Sequence, residues 1–341
     1  MNVGETATPA KLDALQAALQ GVRHVLILPH TNPDPDAIAS AVALRELLMR
    51  QFEVSAQIGY QGVIGRAENR ALVQYLGRPL RRVRTAELRQ ADAVVLVDTQ
   101  PGAGNCCTIS DDAILAIIDH HPLRNASGPG TFVDIRPEVG ATSTILMEYL
   151  RAAGLTLDWK LATALFYGIK SDTRGLIRGA HAADAAAYLY LQPYIDRAAL
   201  MEIEQAQVPV VYFRKLNAAI QAAQVYNDVV VVDLGPVPYP DLPAELADLL
   251  LRLEGMQWSI CLGIHAGTLV FSVRTRQPRG GAGGLVQAVV GDAGTAGGHE
   301  MFAGGQVPLL ERSAATVTAM VKERMLQELD KASTPSVPLI G

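Results

Sequence analysis

The apolar positions in the N-terminal part of the chain follow two rhythms. Short β-branched runs at His24–Pro29 (HVLILP), Glu53–Gly59, Ala93–Asp98 (AVVLVD) and Ala113–Asp119 (AILAIID) read as strands, most of them buried. Between and after them, apolar residues recur at helical spacing over Lys11–Gln20, Asp36–Met49, Glu68–Leu76, Ala141–Ala153 and Lys160–Ile169. Strands alternating with helices predict an α/β domain with a mostly parallel sheet and helices on both faces. Beyond about residue 200 the rhythm changes. Val208–Ala223 reads as a connecting helix. Val229–Asp233, Ser259–His265 and Thr268–Arg274 read as strands around a helix from Ala244 to Leu253, with a hairpin through Ala266-Gly267. A glycine-rich stretch runs from Gly280 to Gly305. The expected organisation is a catalytic domain over 1–200, a linker helix over 201–223, a smaller α+β domain with a mixed sheet over 224–330, and a disordered tail over 331–341.

Composition adds bounds to this picture. With 341 residues and 49% hydrophobic content the chain can bury two cores. A net charge of −5 argues against a broad basic surface that coats long nucleic acid. Three cysteines cannot build a disulfide framework, and neither a leader pattern nor a bilayer-length apolar run is seen, so a cytoplasmic, membrane-free protein is expected.

The chemistry is concentrated in four segments at or after strand and helix ends: His30, Asp34 and Asp36 in HTNPDPDA; Asp98 closing AVVLVD; Asp119-His120-His121; and Asp172 after the helix ending GIK. Each alone has an ordinary reading as a turn, a cap or a surface pair. Together they aim carboxylates and imidazoles at one edge of a parallel sheet, where such sheets bind ligands. Clustered carboxylates repel one another unless cations neutralise them. A set of oxygens and nitrogens without thiolate suits Mn²⁺, Mg²⁺ or Zn²⁺. The set is too large for one ion, and two ions about 3.5–4 Å apart, sharing one carboxylate, would use it fully.

The motifs HTNPDPDAIAS (30–40), VLVD (95–98), DHH (119–121) and SDT (171–173) resemble the DHH phosphoesterase superfamily, and SVRTR (272–276) with GGHEMFAGG (297–305) resembles its DHHA1-type second domain. The two-domain layout is most similar to the nanoRNase branch, the oligoribonuclease/adenosine-bisphosphate phosphatases. The resemblance implies a two-metal phosphoesterase, with Mn²⁺ favoured and Mg²⁺ admitted. It implies His30 and Asp34 on a first ion, Asp98 bridging, and Asp36, His120 and Asp172 on a second. It further implies His121 beside the scissile phosphate, Asp119 orienting an imidazole, and Arg274, Arg276, Gly297, Gly298 and His299 gripping substrate. The implied substrate is a short oligoribonucleotide or a small phosphorylated nucleotide, bound between the domains; a homodimer stays open. Rival readings are a cyclic- or linear-dinucleotide phosphodiesterase, an inorganic pyro- or polyphosphatase, and a non-catalytic nucleotide sensor. Arg78, Arg81, Arg82 and Arg84 form a basic run read as solvated surface, and Gly65–Arg70 opens a helix near the same sheet edge.

Overall fold

The computed structural model describes residues 8–88, 91, 93–123 and 132–340. The chain divides into two compact units, Met1–Ala206 and Gln207–Gly341.

The first unit holds α1 (Thr8–Ala18), β1 (His24–Pro29), α2 (Pro35–Gln51), β2 (Ser55–Tyr60), α3 (Ala67–Tyr75), β3 (Leu80–Arg82), α4 (Thr85–Leu88), β4 (Val94–Val97), β5 (Ile114–Asp119) and β6 (Phe132–Ile135). It continues with α5 (Thr142–Ala152), α6 (Trp159–Thr173), α7 (Ala182–Leu191) and α8 (Arg197–Glu204). Its six strands pair in the order β3-β2-β1-β4-β5-β6, every neighbour parallel. Successive residues of the central strands enter opposite cores. Ile27, Val95, Val97, Ala116 and Ile118 pack with α2, α5 and α6. Leu28, Val94, Leu96 and Ile117 pack on the other side with Val83, Leu88 and Cys107. Burial on both faces is why these runs show no polar alternation.

The second unit holds α9 (Val210–Ala222), β7 (Gln224–Tyr226), β8 (Val229–Pro236), α10 (Leu242–Leu250), β9 (Trp258–His265), β10 (Thr268–Thr275), α11 (Ala282–Val290), β11 (Thr295–Gly298), β12 (Phe302–Pro308), α12 (Ala314–Glu328) and β13 (Val337–Pro338). Its sheet runs β11-β12-β10-β9-β8-β7-β13. Only β8 and β9 pair in parallel, so the sheet is mixed. The span 201–223, expected as one linker helix, contains the end of α8 in the first unit and α9 in the second. The tail expected to be disordered contributes β13, where Val337 and Pro338 pair with β7 and the Leu339 amide donates to the Ala223 carbonyl. Gly341 lies outside the described residues. No helix among the described residues is long and apolar enough to cross a membrane.

Candidate metal centre

The strand order reverses between β1 and β4, and an open parallel sheet has its ligand crevice beyond the carboxyl ends of the strands at such a switch. His30 follows β1, Asp98 follows β4, and Asp119 closes β5 with His120 and His121 next along the chain. Asp34 is the N-cap of α2, its carboxylate accepting the Ala37 amide at 3.1 Å, so Pro35 opens the helix one residue before the expected start and Asp36 lies in its first turn. One residue sits differently from the sequence expectation. Asp172 lies in the last turn of α6, not after it.

Helix packing brings these ends together. The buried Asp36 carboxylate accepts the Thr142 and Ser143 amides, at 2.7 and 2.8 Å, from the start of α5. Three turns into α6, Gly168 permits close approach: a Cβ there would lie 2.4 Å from Ser143 Oγ and 3.2 Å from Asp36 Oδ1. That approach sets Asp172 Oδ2 3.2 Å from His120 Nε2.

Asp98 is the hub. One of its oxygens, Oδ2, lies 3.7 Å from His30 Nε2; the other, Oδ1, lies 3.5 Å from His120 Nε2 and 3.8 Å from His121 Nδ1. His30 Nε2 also lies 3.6 Å from Asp34 Oδ1. Three groups of donors therefore converge with their atoms within 4.8 Å: His30/Asp34/Asp98, Asp98/His120/His121 and Asp36/His120/Asp172. Asp98 holds a left-handed backbone, φ 58°, a strained conformation for any residue with a Cβ. Thr142 Oγ1 donates to Asp98 Oδ1 at 2.8 Å.

The imidazoles are oriented from behind. Nδ1 of His120 is 3.2 Å from the Val139 carbonyl and Nδ1 of His30 is 3.0 Å from the Thr31 carbonyl, which places a proton on Nδ1 and turns Nε2 toward the carboxylates. Asp119 accepts both the His121 amide, at 3.1 Å, and His121 Nδ1, at 2.8 Å, while Gln100 Nε2 donates to its other oxygen at 2.8 Å.

The electrostatics suit a centre that would hold cations. Burial, then the facing Asp172 carboxylate, pushes Asp36 up to about 7. Burial, then Asp36, drives Asp98 well above the usual carboxylate range. Burial pulls His120 down, but the Asp172 carboxylate outweighs it and raises the imidazole to about 10. His120 Nε2 is buried without a hydrogen bond. Repelling carboxylates around an unsatisfied imidazole are the donor set that a divalent cation stabilises. Cys106 and Cys107 add nothing to it: burial pushes the Cys106 thiol up to about 12 and raises that of Cys107 as well.

The sequence does not single out Thr142, Gln100 or Ser143; the one signal for Thr142 and Ser143 is the hydroxyl run Thr142-Ser143-Thr144 after Gly140 at a helix start. Thr142→Val, which keeps the shape and removes the hydrogen bond to Asp98, is expected to weaken divalent-metal affinity by roughly 10–100-fold, as loss of such supporting contacts does. Metal titration by calorimetry reads this; unchanged affinity would mean that the hydroxyl does not support Asp98.

In the second unit the expected substrate-gripping residues fall on, or one residue beyond, β10 and β11, which flank β12. Arg274 pairs in register with Phe302, its guanidinium 5.8 Å from that ring's centroid, and the Phe302 and His299 rings lie 4.8 Å apart. Arg274 is buried and donates to Asp248 at 2.9 Å and to Ser272 Oγ at 2.6 Å, so part of its guanidinium ties β10 to α10. Exposed Arg276 donates to the Leu251 carbonyl at 3.1 Å. Gly297 and Gly298 belong to β11, and at Gly298, φ 148°, a Cβ would come within 2.4 Å of Ala303 Cα.

Residues 24–169 match the family described as "DHH family, N-terminal domain". An uncharacterized protein of Methanocaldococcus jannaschii is 36% identical over 286 residues, covering 84% of this chain and 58% of the relative. A probable manganese-dependent inorganic pyrophosphatase of Bacillus mycoides is 31% identical over 149 residues, covering 44% of this chain and 48% of the relative. The chain thus spans about half the length of these curated relatives. Among solved structures, an exopolyphosphatase-related protein from Bacteroides fragilis superposes with TM-score 0.68 over 95% of this chain and 98% of its own at 13% identity, a likeness of fold.

Proposed function

We propose, from the match of residues 24–169 to the N-terminal domain of the DHH family, that this protein is a metal-dependent phosphoesterase that hydrolyses short oligoribonucleotides or the terminal phosphates of nucleotides. The observation that carries the reading is the Asp98 carboxylate, whose two oxygens face different histidines, each backed by its own aspartates. His30 and Asp34 would hold one divalent ion; Asp36, His120 and Asp172 would hold a second; Asp98 would be common to both. Mn²⁺ is favoured, in keeping with the name of the Bacillus mycoides relative, and Mg²⁺ is the alternative. Bound ions would supply charge neutralisation at the phosphate and acidify a water.

The chain's own residues do the rest. His121, half-buried and with Nδ1 held by Asp119, is the group that would protonate the leaving oxygen. In the second unit, the row Arg274–Phe302–His299 joins a cation, an aromatic face and an imidazole, a combination suited to a phosphate carrying a base. The aromatic face of this row would have no partner in inorganic pyrophosphate.

A turnover panel tests the reading: RNA di- to pentanucleotides, adenosine 3′,5′-bisphosphate, cyclic dinucleotides and pyrophosphate, each with Mn²⁺. Release of mononucleotide from the short RNAs, or of phosphate from the bisphosphate, is the expected result. Turnover of pyrophosphate alone would replace it with the second reading, an inorganic pyrophosphatase, which the name of the Bacillus mycoides relative favours.

A further inference from the structure

A groove of about 530 Å³ lies on the first unit at the free edge of its sheet, between the β2–β3 ribbon and α3. Its floor is Tyr60 of β2 beside Arg82 of β3, which face each other across the strand pair. Arg70 on α3 and Arg78 in the turn after it add two more guanidinium groups, and Val63 and Ile64 supply an apolar wall.

Among the described residues the lining contains no carboxylate. Arg81, one position along the strand, contrasts with its neighbours: it is engaged by Glu87 at 2.6 Å. Among the described residues Arg78 and Arg82 make no such pair, and Arg70 reaches only the Gly65 carbonyl. Clustered cations without counter-charge repel one another, and an anion relieves that repulsion.

The groove is also coupled to the metal centre. Asn32, between His30 and Asp34, accepts the Val63 amide on Oδ1 at 2.7 Å and donates its own amide to the Gln61 carbonyl at 3.1 Å. On α3, Asn69 donates to the Pro33 carbonyl at 3.4 Å. The loop that carries His30 and Asp34 is therefore bonded to the segment that walls the groove.

We propose that this groove is a second nucleotide subsite, which holds the phosphate and base of a residue beyond the scissile bond of a short oligoribonucleotide. The proposal deepens, and rests on, the phosphoesterase reading above. Arg70, Arg78 and Arg82 take the phosphate, and Tyr60 with Val63 and Ile64 takes the base. A bare phosphate chain would use the cations and leave the aromatic and apolar wall idle, so the lining favours a nucleotide.

The test compares the full-length wild type with Arg70→Ala/Arg82→Ala, two exposed positions, and with Arg81→Gln as a control on the other side of β3. The substrates are an RNA pentanucleotide and bis(p-nitrophenyl) phosphate, which carries no nucleotide beyond the scissile phosphate. The double variant is expected to raise KM for the pentanucleotide about tenfold or more, with kcat and bis(p-nitrophenyl) phosphate turnover retained, since each lost charge-assisted contact weakens binding. Arg81→Gln should behave as wild type. An unchanged KM, or an equal loss on both substrates, overturns the subsite and leaves the hydrolase reading intact. If the wild type cleaves no RNA, the functional reading has failed and the groove is judged by calorimetry with adenosine 5′-monophosphate. Binding that the double variant loses supports the subsite; equal binding in both proteins, or none in the wild type, overturns it.

Discussion

Asp98→Ala is expected to lower phosphoester turnover by roughly a thousandfold or more, because metal assistance provides several kcal/mol and each 1.4 kcal/mol is a factor of ten. The reason is geometric. Asp98 Oδ2 and Oδ1 face His30 and His120 separately, so one truncation removes a donor from both ligand groups. Bound divalent metal should fall with activity, and Thr142 Oγ1 should lose its acceptor. Truncation also removes a buried carboxylate that repels Asp36, Asp34, Asp119 and Asp172. The metal-free variant should therefore be no less stable than metal-free wild type by thermal melting. A variant that keeps full turnover would break the assignment of Asp98 as the shared ligand.

The second large effect lies away from this centre. Asp134→Ala is expected to destabilise the first unit by about 3–5 kcal/mol, the usual cost of removing one partner of a buried ion pair. Asp134 is buried on β6 and accepts both Nε and Nη2 of Arg136, the latter at 2.8 Å, as well as the Tyr149 hydroxyl at 2.8 Å and the Lys11 ammonium. Arg136 in turn donates to Glu148 at 2.5 Å. Removing Asp134 leaves the guanidinium buried with half its partners. Adding Arg136→Met should restore much of the loss, because it removes the stranded charge; a double variant as unstable as the single one would contradict this account.

The same network gives a pH dependence with a definite sign. Burial raises the Asp134 carboxyl, but Arg136 and then Lys11 outweigh it and hold it below its ordinary value. A depressed folded-state value means stability that is complete above about pH 4, the unfolded carboxylate's range, and lost as pH falls through the folded value. The stability gap between wild type and Asp134→Ala, measured by urea unfolding, should therefore narrow on acidification.

How much of this was legible in the sequence depends on what buries each element. β1, β4 and β5 stood out because both faces are covered and the runs are continuously apolar. β6 did not, because its inward residue is Asp134, held by a salt bridge that no apolar pattern shows. The end of α6 was placed too early. The apolar stripe stops at Ile169, yet the helix continues until Thr173 Oγ1 bonds the Ile169 carbonyl and Arg174 turns left-handed. α12 carries little sequence signal because its core contact is a narrow stripe of Val317, Val321 and Met325 in a polar background.

The metal donors were readable as residue types at strand ends, since their chemistry is local. Their supports were not. Thr142, Gln100 and the Val139 carbonyl act through register and helix packing, which only the fold supplies. The same holds for the juxtaposition of Arg274 and Phe302, which needs the pairing of β10 with β12. The basic run read as solvated surface separates in the fold: Arg81 pairs with Glu87, while Arg78 and Arg82 line a groove.

The central claim is that Asp98 joins two divalent ions in one centre. Electron paramagnetic resonance of the Mn²⁺-loaded protein tests it most directly. The account predicts the spectrum of a spin-coupled Mn²⁺ pair in the wild type, replaced in Asp98→Ala by loss of signal or by isolated ions. Spectra of isolated, uncoupled Mn²⁺ in the fully loaded wild type would contradict it.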